Sequence, residues 1–452
     1  MRSTSHSHQV SGPFRRALAA SVSGQALEWY DFAIYGLAAS TVFPRIFFPG
    51  ASPLMGLLAS FATFAVGFVA RPVGGVIFGR LGDRIGRKPA LMLTLLLMGV
   101  STVIIGLLPD FGTIGVLAPI LLVVLRLAQG IGVGGEWSGA AVLVIESAPT
   151  HRRGFFSSMI NSGEYIGTLV AAGVFTALNA MMPQDAFYAW GWRIPFVLAS
   201  VGIIFSLVIR RKVDETPAFA EIAEKASANQ PGLGASLRAQ WRNVIAIIGL
   251  RMFENASAYI ILAFAVTYAT RAGNAESTAT LGVTIASAVA IPLIPLFGRL
   301  SDRIGRKRVY LIGVVFLLIF FVPFFTLIES QQPLLVWTAF ILIFALGMAP
   351  MLAAQPAWFA EMFPTAFRYS GTAISTNVAT VFAGGMAPFI ATALLNSTGN
   401  LTFVFVYLGV LGLVTLAATL FTRETLGTDL DAPACTAQSA APALSPAVSD
   451  RG

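Results

Sequence analysis

Charge, cysteine and histidine are scarce in this chain. Of 452 residues only 11% are Asp, Glu, Lys or Arg, against about 25% in soluble domains. A single cysteine, Cys435, rules out an intrachain disulfide. The three histidines, His6, His8 and His151, lie outside every long apolar run, so no histidine proton relay is available inside one. Neither a metal-ligand cluster nor a nucleophile–base pair stands out, and an enzyme is not expected. No Gly-x-x-x-x-Gly-Lys-Ser/Thr loop is present to cradle ATP phosphates, which disfavours a primary pump.

What abounds is apolar. The chain is 56% hydrophobic, with a mean hydropathy of +0.77. Apolar runs fall at about 18–44, 54–78, 89–108, 114–146, 155–182, 191–210, 243–270, 278–298, 308–328, 333–358, 370–395 and 401–421. Each is near or above the ~20 residues a helix needs to cross hydrocarbon. The expected fold is therefore an all-α integral membrane protein of twelve transmembrane helices in two six-helix bundles. The first run contains Glu28 and Asp31 and lacks a small-residue cleavage pattern, so it reads as a retained helix rather than a signal peptide.

The organisation expected is a cytoplasmic tail at 1–17, one bundle at 18–210, a cytoplasmic linker at 211–240, a second bundle at 241–421 and a disordered cytoplasmic tail at 422–452 rich in Ala, Pro and Ser. Orientation follows from Lys and Arg. With the N-terminus in the cytoplasm, 23 of the 29 basic residues fall on that side. Arg45, Arg193 and Arg271 lie opposite, and Arg71, Arg126 and Arg251 lie within the bilayer. The net charge of +8 is thus a signal of topology and anionic lipid, not of nucleic acid.

Two internal repeats show duplication. Residues 79–88, Gly-Arg-Leu-Gly-Asp-Arg-Ile-Gly-Arg-Lys, return at 298–307 identical at nine of ten positions. Glu146-x-x-Pro149-x-x-x-Arg153 returns as Glu361-x-x-Pro364-x-x-x-Arg368. Each half so carries two charged hairpins on one face. Such clusters pair when two lobes close and part when they open. The candidate gate comprises Asp83, Arg84, Arg87, Glu146 and Arg153, with Asp302, Arg303, Arg306, Glu361 and Arg368.

The Gly-x-x-x-Asp-Arg-x-Gly-Arg-Lys pattern resembles the signature loop of the major facilitator superfamily, whose inner gate includes this Asp. The resemblance narrows with Glu28-Trp29-Tyr30-Asp31-Phe32, Arg71-Pro72-Val73-Gly74-Gly75, Arg126-Leu127-Ala128-Gln129-Gly130, Gly135-Glu136-Trp137, Trp190-Gly191-Trp192-Arg193 and Glu215-Thr216-Pro217. Together these are similar to the metabolite:proton symporter family, whose members carry α-ketoglutarate, citrate, shikimate or proline/betaine. The run Gly249-Leu250-Arg251-Met252-Phe253-Glu254 points to the shikimate-type branch. The resemblance implies proton-coupled uptake of a small organic acid across the inner membrane, with the proton as coupling ion and no other cofactor. A monomer in lipid is expected. A zwitterionic osmolyte is the alternative substrate. A drug/proton antiporter of the same fold is disfavoured, because Gly163-Glu164-Tyr165-Ile166-Gly167 lacks a Gly-Pro-x-x-Gly-Gly element. A non-transporting membrane sensor is the alternative of another class.

Charges at helix centres cost about 2.5–3.5 kcal/mol each on insertion scales, so each needs a role. Glu28 and Asp31 sit three apart on one helix face, where two carboxylates cannot both ionise cheaply. With Glu136 and Glu164 they are the proton-coupling candidates. One of the first pair could instead neutralise Arg71 or Arg126. Arg126 is the first choice to meet a substrate carboxylate, since a guanidinium fork matches it. Arg251 and Glu254, at i and i+3, are either a self-neutralising pair or a second substrate contact. Arg71, Tyr30 and Tyr35 complete the substrate-binding candidates. Gly130, Gly132, Gly134 and Gly135 lie within a helix with no preceding strand and read as a close helix contact, not a dinucleotide loop.

Overall fold

The computed structural model describes residues 12–212, 232–428 and 430. The linker elements Asp214–Phe219 and Pro231, together with 431–452, lie outside the described residues. Among those described there are twelve long helical segments. In the first half these are α1 (Gly12–Thr41), α2 (Pro53–Ile85), α3 (Arg87–Leu107), α4 (Leu117–Ser147), α5 (Arg153–Met181) and α6 (Arg193–Arg211). In the second they are α7 (Leu233–Arg271), α8 (Glu276–Ile304), α9 (Arg306–Glu329), α10 (Pro333–Glu361), α11 (Arg368–Thr398) and α12 (Thr402–Phe421). Ten of them are long and apolar enough to cross a membrane; α1 and α5, at 30 and 29 residues, are of similar length.

The burial pattern inverts that of a water-soluble bundle. Large apolar side chains such as Val69, Ile104, Val201, Phe205, Ile319 and Val410 are exposed, while Glu28, Asp31, Arg126, Glu136 and Glu254 are buried. Lipid solvates the outer surface, and polar groups are satisfied inward. The protein is a multi-pass membrane protein.

Several boundaries differ from those expected. Helix α1 starts at Gly12, inside the expected 1–17 tail, because a helix continues into the polar zone through Arg15 and Arg16. Helix α7 starts at Leu233, inside the expected 211–240 linker, for the same reason. Helices α2 and α8 run on through the charged repeats and stop at Ile85 and Ile304. Gly86 and Gly305 then take φ of 109° and 106° before α3 and α9 begin. Side chains avoid that region, so both copies of the repeat need glycine there. Pro149 and Pro364 keep α4 and α10 from extending.

The lobes meet crosswise. Helix α2 packs on α11, and its counterpart α8 packs on α5; α4 and α10 meet between them. Within the first lobe α2 and α4 lie close. A Cβ at Gly134 would run into the carbonyl of Arg71, and one at Gly130 into that of Gly67. In the second lobe α7, α10 and α11 each contain one widened, π-helical turn, at Ile260–Phe264, Ile343–Met348 and Thr380–Gly385.

Candidate functional site

At the face bearing the repeats, each lobe holds the helix ends of the other. Asp83 on α2 accepts the backbone N–H of Ser370 at the start of α11, at 2.9 Å. Its mate Asp302 on α8 accepts the N–H groups of Gly154 and Phe155 at the start of α5, both at 2.8 Å. A carboxylate at a helix N-terminus meets orphan donors and the positive end of the dipole. Arg87 binds Asp83 at 2.9 Å and Glu146 at 3.3 Å, and Arg368 reaches Glu146 from the other lobe at 2.8 Å. In the second copy Arg306 binds Asp302 at 2.6 Å and Glu361 at 3.4 Å. Seven of the ten expected gate residues thus enter the closure, and an eighth, Arg153, joins it through the C-terminal segment. Arg84 and Arg303 do not; both are exposed at the surface, since the helical turn points them away from the lobe interface.

The C-terminal segment corrects the expectation of disorder from residue 422. Glu424 caps α9, accepting the N–H groups of Arg306 at 3.0 Å and Lys307 at 3.1 Å. Thr425 donates to Glu361 at 2.6 Å. Arg153, across the interface, donates to the Thr428 carbonyl at 3.0 Å, and Thr365 donates to that of Leu430 at 3.1 Å. The Leu430 side chain is buried among Ala141, Ile145 and Phe156 of the first lobe. The segment so straps one lobe to the other.

Between the lobes, beyond this closure, lies a polar cavity. Its charged lining is Glu28, Arg71 and Glu164 from the first half and Arg251 and Glu254 from the second. Arg71 stands 3.8 Å from Glu28, and Arg251 stands 3.6 Å from Glu254. Gln355 accepts from Arg251 and donates to Glu254 at 3.1 Å. The Arg251 guanidinium lies 4.9 Å over the Trp137 ring, whose indole N–H donates to Asn161 at 2.8 Å. The Glu164 carboxylate makes no ion pair among the described residues. Trp29, Ser138, Asn255, Tyr259 and Thr380 are also part of the wall. One turn farther from the repeats, Phe32 and Phe68 pack against Tyr259 of the other lobe, with ring centroids 6.1 and 5.3 Å apart. A single aromatic layer closes the cavity there.

Glu28 and Asp31 do not share a site. Glu28 faces the cavity, whereas Asp31 turns into the first lobe and accepts from Thr102 at 2.6 Å and Gln129 at 2.5 Å. Positions three apart lie about 60° apart around a helix, so at the edge of that face one side chain meets the partner lobe and the other its own bundle. Arg126, the expected carboxylate clamp, is absent from the cavity wall. It donates to Gln129 and lies 4.1 Å over the Tyr35 ring. Tyr35 bonds Thr63 at 2.7 Å, and Tyr30 donates to the Pro195 carbonyl at 2.8 Å. Both tyrosines are packing residues of the first lobe. Glu136 is neutralised by Arg210 of α6 and accepts from Thr94 at 2.7 Å.

Sequence reasoning missed Arg210, which ends the sixth apolar run and was counted with the cytoplasmic basic residues, and the uncharged groups. Asn161 donates to the Leu352 carbonyl at 2.7 Å and Asn377 to that of Gly134 at 2.6 Å, each across the lobes. Tyr369 donates to the Gly135 carbonyl at 2.8 Å. The second repeat, ending at Arg368, marks where Tyr369 follows; nothing marked the asparagines. Among the described residues no cluster of three or more His, Cys, Asp or Glu could hold a metal.

Known proteins match this arrangement. The Sugar (and other) transporter family model matches residues 16–233, and the Major Facilitator Superfamily model matches 247–450. The shikimate transporter of Escherichia coli (strain K12) is 42% identical over 401 residues, covering 87% of this chain and 91% of its own. The glycine betaine/proline/ectoine/pipecolic acid transporter OusA of Dickeya dadantii (strain 3937) is 37% identical, covering 92% and 84%. The fold is that of the proton:xylose symporter XylE, with a TM-score of 0.75 at 18% identity, covering 93% and 98%. The protein is a transporter and not an enzyme: the chain belongs to the major facilitator superfamily, in its metabolite:proton symporter family.

Proposed function

We propose that this protein imports a small organic acid together with protons, by alternating access, as a monomer in the inner membrane with both termini in the cytoplasm. The observation that carries the reading is the charge of the cavity. Three carboxylates, Glu28, Glu164 and Glu254, face two guanidinium groups, Arg71 and Arg251, which come from opposite lobes. With every group ionised the wall holds one net negative charge. A carboxylate substrate entering such a wall needs a proton to come with it, and Glu164, which makes no ion pair among the described residues, is the wall carboxylate to receive one. Arg71 and Arg251 would clamp the substrate between the lobes, which links binding to closure. The crosswise contacts of Asp83 and Asp302 would form the cytoplasmic gate.

The family relationship to a shikimate transporter supports a hydroxylated monocarboxylate, whose hydroxyls Asn161 and Asn255 of the wall suit. A zwitterionic osmolyte is the second reading, favoured by Trp29 and Tyr259 in the wall. Against it, Arg251 already covers the Trp137 face. Purified protein in liposomes with an internal pH dye would be offered shikimate, quinate, α-ketoglutarate, citrate, proline and glycine betaine singly. Acidification with a hydroxylated acid supports the proposal. Acidification with betaine alone moves the substrate to the second reading. Counterflow without acidification removes proton coupling, and absence of any flux favours a sensor.

A further inference from the structure

Away from the cavity, Asp31 and Arg126 are buried in the first lobe at 2% and 3% exposure, yet they form no ion pair. Gln129, fully buried, stands between them. Its amide nitrogen donates to Asp31 Oδ2 at 2.5 Å, and its oxygen accepts from Arg126. The partners dictate that orientation: an ionised carboxylate only accepts, and a guanidinium only donates. Thr102 fills the other carboxylate oxygen at 2.6 Å.

A proton on Asp31 reverses one side of this arrangement. The Asp31 O–H then needs an acceptor, and the amide supplies one by a half-turn that brings its oxygen round. Its nitrogen now faces Arg126, donor against donor. Arg126 loses that hydrogen bond and is left on the faces of Tyr35 at 4.1 Å, Phe64 at 5.0 Å and Phe32 at 5.5 Å. Phe32 also carries Arg71 at 5.3 Å and belongs to the aromatic layer that closes the cavity. We propose that Gln129 is the positioning residue of proton coupling: its amide flip converts protonation of Asp31 into release of Arg126, and thereby shifts Phe32 and the aromatic layer. The proposal rests on the symport reading for its role in transport, but the flip itself does not depend on the substrate.

The ionisable groups facing Asp31 are Arg126 on α4, Arg71 on α2, and Glu28, Tyr30 and Tyr35 on α1. Only Arg126 is joined to it through a group that can exchange donor for acceptor. Thr102 offers the competing acceptor: its one hydroxyl proton can turn from Asp31 to the Met98 carbonyl, 2.9 Å away, and its oxygen already accepts from the Gln129 amide at 2.9 Å.

Infrared difference spectra of the purified full chain across a pH jump test the flip directly. The expected result is a carboxylic C=O band, absent in Asp31→Asn, accompanied by a glutamine side-chain amide shift that vanishes in Gln129→Met. A carboxyl band without the amide shift overturns the proposal. In proteoliposomes, Gln129→Met and Gln129→Glu are expected to cut shikimate accumulation driven by a pH gradient about tenfold, with shikimate counterflow kept within about twofold of the parent. Thr102→Val should keep accumulation. Parent-like accumulation in both Gln129 variants, or loss of counterflow in step with accumulation, makes Gln129 a packing residue and overturns the proposal. Loss in Thr102→Val with intact Gln129 variants assigns the relay to the hydroxyl and does the same. If the parent itself accumulates nothing, the symport reading fails while the infrared result still decides the flip.

Discussion

Asp83 on α2 caps the first turn of α11 through the Ser370 backbone N–H at 2.9 Å, and the two residues belong to opposite lobes. Sequence spacing placed Asp83 beside Arg87, and the structure adds the partner helix. Asp83→Asn keeps an acceptor for Ser370 but offers a donor to Arg87 or loses the charge between them. Charge-assisted hydrogen bonds contribute about 1.5–3 kcal/mol, so the closed population should fall about 10- to 100-fold. In a Cys435→Ser background, a thiol introduced by Ser138→Cys on the cavity wall reports this. Its labelling from the repeat-bearing face should speed up while expression holds and uptake falls. Parent-like labelling and uptake together would remove Asp83 from the gate.

Arg251 and Arg126 separate by location. Arg251 lines the cavity and holds Glu254, Gln355 and the Trp137 face. Arg251→Lys keeps the charge but loses the planar fork, and should raise the KM for an acid substrate about tenfold. Arg126→Lys should leave the counterflow KM unchanged, since Arg126 touches no part of the wall. A raised KM in Arg126→Lys would return it to the substrate site.

Glu136 and Arg210 are a buried ion pair of the first lobe. Removing one partner of such a pair costs about 3–5 kcal/mol because the other is left buried and uncompensated. Glu136→Leu and Arg210→Leu should each lower the thermal unfolding midpoint in detergent sharply, and the double variant should recover most of the loss. Additive losses in the double variant would show that the two do not act as a pair.

The strap after α12 predicts a phenotype for truncation. Ending the chain at Thr422 deletes the cap of Glu424 on α9, the Thr425 bond to Glu361 and the burial of Leu430. Ser138→Cys labelling should then rise about tenfold or more, as for loss of one to two buried hydrogen bonds. Thr425→Val should give part of that effect. An unchanged labelling rate after truncation would make the strap a passive passenger.

The twelve helices and their two-lobed order were legible because long apolar runs and a repeated charged loop leave few alternatives. The charged contacts between the lobes were legible for the same reason: nine identical residues of ten, and a Glu-Pro-Arg spacing kept in both halves. The pairing partners were not. Which way Asp31 turns relative to Glu28 depends on helix rotation by a few tens of degrees, and Arg126 follows Asp31 inward through Gln129. Arg210 is the last residue of the expected sixth run and was counted with the cytoplasmic basic residues, and its carboxylate partner identifies it only in three dimensions. Asn161, Asn377 and Gln129 carry no charge, so a search for costly intramembrane charges passes over them. The strap was masked by composition, because the few residues that dock, Glu424, Thr425, Thr428 and Leu430, precede a long Ala- and Pro-rich stretch.

The crosswise capping by Asp83 and Asp302 has a consequence for the origin and divisibility of the chain. Each half presents a carboxylate that fits the other half's helix end and a helix end that fits the other's carboxylate. That is the geometry of an isologous dimer written into one polypeptide. Neither half alone satisfies its own ends, so each is incomplete without its sibling. Severed between α6 and α7 and co-expressed, the two pieces carry their own mutual address, and they should find each other without the linker.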